Sequence, residues 1–92
     1  MIRARAAALA ACDVFDITEH QIYHRSHAAR YVRPRHVAFW IARLAGRTYP
    51  QIARAMNRDQ STIRHGVLRI TALMENDETL RARVEDCQAR LT

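Results

Sequence analysis

A chain of 92 residues, 49% hydrophobic and 26% charged, with two glycines and two prolines, holds one small core and leaves no room for a nucleotide-hydrolysing module beside a second unit. That balance excludes a disordered tail, and no apolar run approaches the roughly 20 residues of a bilayer span, so a soluble cytoplasmic protein without membrane association is expected. Cys12 and Cys87 stand alone near opposite ends of the chain, which excludes a C-x-x-C redox pair and a disulfide framework and fits reduced thiols.

Taken in chain order, MIRARAAALAACDVF reads as a first helix. Its Asp13 and its lack of serine argue against a transit peptide. Ile2, Ala6, Leu9 and Ala10 suit the inner face, and Asp13 to Asp16 should interrupt it. Thr18 with Gln21 forms a capping pattern for a short second element. HRSHAARYVRPRH follows, dense in Arg and His and without apolar period, and is expected to be an exposed linker. Pro34 suits the first turn of the next helix, where its missing N–H costs nothing. Val37, Ile41 and Leu44 then repeat at helical spacing beside Phe39 and Trp40, both expected in the core, and Gly46 ends the run. Thr48 and Gln51 open a short helix, YPQIARAM. The turn Asn57-Arg58-Asp59 leads to a longer helix with Ile63, Val67, Ile70 and Met74 on one stripe, and Asp59 is its natural N-cap. A last helix starts at Asn76-Asp77-Glu78 and carries Leu80, Val84, Cys87 and Leu91 on one side. These signals define an all-α bundle of five to six helices, with residues 1–75 as the main domain and 76–92 as an amphipathic helix packed on it. That final stripe spans under two heptads, so a monomer or weak dimer is expected.

All 15 basic residues are arginine, each able to make planar, forked contacts to phosphate or guanine. Their distribution is uneven. Residues 20–70 hold ten arginines against Asp59 alone, whereas residues 1–19 and 71–92 each carry more acids than bases. A block of this sign and density points to an anionic polymer.

A short helix, a three-residue turn and a second helix with a polar leading edge is the outline of a helix-turn-helix. With Ile63 and Val67 inward, Gln60, Ser61, Thr62, Arg64 and His65 project from the exposed end of the second helix, with Arg58 just before it. Gln pairs bidentately with adenine, hydroxyls reach bases or phosphates, and a Thr methyl touches thymine. The helix N-terminus also favours phosphate. Asp59 could accept from a cytosine amino group besides capping.

The stretches FDIT, RPRHVAFWIAR and YPQIARAMNRDQSTIRHGV together resemble the C-terminal DNA-binding domain of the bacterial replication initiator DnaA, over roughly residues 5–75. The family's D-H-T-T-V-type run is matched by Asp59-Gln60-Ser61-Thr62-Ile63. The resemblance implies a helix-turn-helix bundle of Trp-repressor-like kind that binds short asymmetric boxes in double-stranded DNA. It places Asp59, Gln60 and Ser61 at base edges in the major groove, with Thr62 beside them. It sends the basic loop into the minor groove through Arg25, His27 or Arg30, and sets Arg33, Arg35 and Arg43 on the backbone. Two departures matter. Gln60 replaces the usual His, which changes one base reader, and no G-x-x-x-x-G-K-[ST] loop is present.

Other chemistries find less support. His20, His24 and His27 lack further ligands at tetrahedral spacing, so no metal or other cofactor is expected. Ser26 and Ser61 are the only serines and neither lies in a G-x-S-x-G setting, so no catalytic residue is assigned. His65 reads as a phosphate contact. The expected function is therefore sequence-specific binding to DnaA-box-like duplexes by a small regulator of replication or transcription, of bacterial or phage origin, that competes with or binds the full initiator. The alternatives are an adaptor that docks an acidic protein on its basic face, and an excised fragment of a full initiator.

Overall fold

Thr18 and Thr48 each open a helix by the same reciprocal pair of bonds. Each hydroxyl accepts from the backbone N–H three residues on, and the Gln at that position accepts the threonine's own N–H at 2.9 Å. Such capping boxes satisfy two of the N–H groups that a helix start leaves unpaired. The computed structural model describes residues 2–91 and forms six helices: α1 (Ala4–Phe15), α2 (Glu19–Tyr23), α3 (Ala29–Leu44), α4 (Tyr49–Met56), α5 (Gln60–Met74) and α6 (Glu78–Ala89). Among the described residues there is no strand, and no helix is long and apolar enough to cross a membrane.

The helix ends follow local chemistry. Asp16 (φ 56°) and Asn57 (φ 54°) adopt the left-handed conformation that closes α1 and α4, a conformation that Asn and Asp tolerate better than most residues. Gly46 (φ 99°) follows α3, with its N–H on the Arg43 carbonyl and the Arg47 N–H on that of Ala42. Those two bonds make a Schellman stop. Asp59 and Asp77 cap α5 and α6 through their carboxylates.

α3 is the axis of the core. Val37, Ala38, Phe39, Ile41 and Ala42 are all buried on it, and α1 and α5 form its principal packing partners. α6 lies over α1 and buries Leu80, Val84 and Cys87, with the Cys87 thiol 3.8 Å from the Ala10 carbonyl. Leu91 packs partly buried just past the helix end.

Three expectations need correction. α1 runs through Asp13 to Phe15 without interruption, and its inner face is Ala4, Ala7, Ala8, Ala10, Ala11 and Cys12, whereas Leu9 is exposed. α1 packs against α2, α3, α4 and α6, and alanines let those helices approach from several sides. Second, the exposed linker is only residues 24–28, because α3 begins at Ala29. Pro34 thus lies inside the helix rather than in its first turn, and its ring is fully buried. The opening turn is instead held by Tyr31 and Val32, whose N–H groups both reach the Ala28 carbonyl at 3.0 Å. Third, Trp40 is only partly buried, and its indole N–H donates to the Thr71 hydroxyl on α5 at 3.2 Å.

Candidate nucleic-acid interface

The leading edge of α5 is set by what the helix buries. Ile63, Gly66, Val67 and Ile70 face inward, so Gln60, Ser61, Thr62, Arg64 and His65 are exposed. Asp59 holds the first turn. Its Oδ1 accepts the Thr62 N–H at 3.2 Å and also the Thr62 hydroxyl. The Thr62 hydroxyl bond, then the Thr62 backbone bond, hold the Asp59 carboxyl below its ordinary range, so the cap is ionised at neutral pH.

Beside this turn runs the loop of residues 24–28, bent by the Ser26 N–H on His24 Nδ1 and the Ala28 N–H on the Ser26 hydroxyl, both at 3.2 Å. Loop, α3 and α5 enclose a cleft of about 410 Å³ lined by Arg25, His27, Val32, Arg35, His36, Arg58, Thr62 and His65. No carboxylate lines it. A neighbouring depression of about 440 Å³ joins Arg25, Asn57, Arg58, Asp59 and Thr62. A larger hollow of about 710 Å³ lies beside Glu19, His20, Tyr23, His24 and Arg25. It is wide open and includes an acid, so it makes a poorer seat for an anion than the carboxylate-free cleft.

His36 registers how cationic this region is. Burial first, then His65, Arg35, Arg33 and Arg69, push its pKa down to about 4, leaving it neutral at pH 7. Its ring lies 6.1 Å from that of His65, edge to face. Neither His36 nor Arg69 is among the residues that the family resemblance or the polar turn of α5 sets on DNA. The signal that could have found His36 is its place one turn before Phe39 and Trp40, on the edge of the α3 core stripe.

The arginines divide into two groups. Arg25, His27 and Arg30 are exposed, Arg33 is half-buried, and Arg30 also stacks over Tyr31 at 5.1 Å. Arg43 is exposed at the far end of α3, stacked over Tyr49 at 4.9 Å and donating to the Arg47 carbonyl. It does not line the cleft.

Arg35, which the family resemblance sets on the phosphate backbone, instead turns inward and is only 6% exposed. Its Nε donates to the Ile22 carbonyl at 2.8 Å, Nη1 to that of Ser26 at 3.0 Å, and Nη2 to those of Gln21 and His24. The unpaired carbonyls at the end of α2 draw this cation inward. Arg58 is half-buried and its Nη2 reaches the Tyr23 and His24 carbonyls at 3.2 and 2.8 Å. Burial lowers the pKa of both arginines, and each is pushed further by a neighbour, Arg58 for Arg35 and Arg25 for Arg58.

An all-α bundle with a short helix, a three-residue turn and a second helix whose first turn projects beside a cationic loop defines a helix-turn-helix protein. The family model described as bacterial dnaA protein helix-turn-helix matches residues 8–70, and the chain belongs to that family. Among curated proteins, it is 29% identical over 82 residues to the chromosomal replication initiator protein DnaA of Campylobacter jejuni, covering 87% of this chain and 19% of that protein. It is 34% identical over 79 residues to the DnaA of a Bradyrhizobium species, and 33% identical over 79 residues to that of Rhodopseudomonas palustris. Each of those alignments covers 84% of this chain and 17% of the relative. The chain thus spans about a fifth of the length of the curated relatives it matches.

Proposed function

We propose that this protein binds double-stranded DNA at short, asymmetric sites related to DnaA boxes. The observation that carries the proposal is the exposed turn Gln60-Ser61-Thr62 beside a carboxylate-free cleft of arginines and histidines. In this reading the first turn of α5 enters the major groove, where the Gln60 amide pairs with an adenine edge and Ser61 with a neighbouring base. The Thr62 hydroxyl is committed to Asp59, which leaves its methyl for a thymine. Asp59 is a structural cap first, with its second oxygen the one able to meet a cytosine amino group. Arg25, His27 and Arg30 extend toward the adjacent minor groove. Arg33, Arg64, His65 and, more distantly, Arg43 meet phosphates and fix the register.

Occupation of such sites would make the protein a regulator of replication or transcription that competes with the full initiator. Selection of duplexes from a random pool, followed by titration of the winner and a scrambled duplex, tests the reading. One short asymmetric motif should be enriched, with affinity falling steeply as salt rises, by a log–log slope of about −0.9 per phosphate contacted. If at low salt no duplex competes with polyglutamate for the basic face, the protein is an adaptor for acidic partners instead.

A further inference from the structure

Arg35 and Arg58 converge on one carbonyl. Arg35 comes from α3 and Arg58 from the turn between α4 and α5, yet both donate to the His24 oxygen. Between them they also take the carbonyls of Gln21, Ile22, Tyr23 and Ser26. Those are the acceptors at the carboxyl end of α2 and in the first residues of the basic loop, and of them Gln21 also takes the His24 N–H. The loop has no apolar anchor of its own, since residues 24, 25, 27 and 28 are exposed.

From this geometry we propose that Arg58 is a positioning residue rather than a DNA contact. Together with Arg35 it ties the loop carrying Arg25 and His27 to the start of the recognition helix, so that loop and helix meet DNA as one rigid surface. The significance for DNA rests on the binding proposed above; the tie itself does not. Two cations so close repel each other, and each loses hydration on burial. They stay together because the carbonyl oxygens of Gln21, Ile22, Tyr23, His24 and Ser26 all accept from them, and among the described residues no buried side-chain polar atom is left without a partner. Both bonds to the loop come from Arg58 Nη2, and Nη1 reaches the Asn57 carbonyl at 3.3 Å, so the guanidinium is oriented by the loop and its own turn, with Nε the donor left over.

The test separates the tie from its use. In the free protein, Arg58→Ala should speed trypsin cleavage after Arg25 by about ten-fold or more, the factor expected for loss of one charge-assisted hydrogen bond. It should also lower the backbone order parameters of residues 24–28 while circular dichroism stays helical. If Arg58→Ala fails to fold, Arg58→Met keeps the apolar stem and takes its place. On DNA, Arg25→Ala, Arg58→Ala and the double variant form a cycle. Positioning predicts that the double variant binds little worse than the poorer single one, because Arg58 acts through the loop. Additive losses, or an unchanged loop in the free variant, overturn the proposal. Should the wild-type chain bind no duplex at all, the reading of its function fails, and the cleavage and order measurements still decide whether the loop is tied.

Discussion

Gly66 on α5 faces His36 and Phe39 on α3 so closely that a Cβ at position 66 would sit 2.8 Å from the Cδ2 of each ring. Phe39 is fully buried and His36 half-buried beside it, so the Phe39 ring cannot swing aside freely. Gly66→Ala gains up to about 1 kcal/mol of helix propensity but overpacks the α3–α5 seam, which costs about 1–3 kcal/mol. A net loss of stability is expected in urea unfolding, together with weaker duplex binding as α5 shifts. A stabilised variant with unchanged affinity would show that the seam has slack.

Arg35 and Arg64 should fail in opposite ways. Arg35→Ala strips partners from the buried carbonyls at the end of α2 and should destabilise the fold by about 2–4 kcal/mol, with the midpoint of thermal unfolding as the readout. Arg64→Ala should leave that midpoint in place and flatten the salt dependence of duplex binding by about 0.9. An Arg35→Ala protein with wild-type stability would remove its structural role.

Stability should decline in mild acid because of His36. Its pKa in the folded chain is about 4, against an ordinary value of about 6.5, so the unfolded chain takes up a proton that the folded chain refuses. The contribution of the neutral ring is full above about pH 6.5 and is lost as pH falls from there toward 4. Asp59, whose pKa is lowered by its bonds from Thr62, extends the decline below the ordinary carboxylate range. His36→Gln should flatten the urea midpoint between pH 6.5 and 4, and Asp59→Asn should flatten it only at lower pH. If the His36→Gln and wild-type profiles run parallel, another group is responsible.

Gln60 stands where the family run usually carries His, and it is expected to choose the base at one position of the site. Gln60→Ala should reduce the preference for the selected duplex over its single-base variant by about 1–3 kcal/mol. Gln60→His should re-select a different base there without altering the rest. Selection that returns the same motif from both variants would place the reading elsewhere.

The sequence revealed the parts of this structure governed by neighbours in the chain and hid those governed by distant ones. Thr18 with Gln21, Thr48 with Gln51, the Asn57-Arg58-Asp59 turn and the Ile63, Val67, Ile70 stripe all act within a few residues, and the helices around them lie where the pattern indicates. α3 begins five residues before Pro34 because Arg35 is anchored by carbonyls of Gln21, Ile22, His24 and Ser26, a partnership no local pattern displays. In α1, a run of alanines gives almost no hydrophobic contrast between faces, and the one large residue, Leu9, misleads. The candidate interface was similarly half legible. The polar turn of α5 follows from the period of its apolar residues, whereas the inward turn of Arg35 and Arg58 depends on where α2 ends in space.

The hydrogen bond from Trp40 to Thr71 spans the same seam that Gly66 permits. Because Trp40 is the sole tryptophan and sits at the solvent boundary of that contact, its emission provides a built-in optical gauge. A red shift on titration with duplex DNA would signal that α5 has lifted from α3, and constant emission that α5 stays seated throughout, with no label attached to the chain.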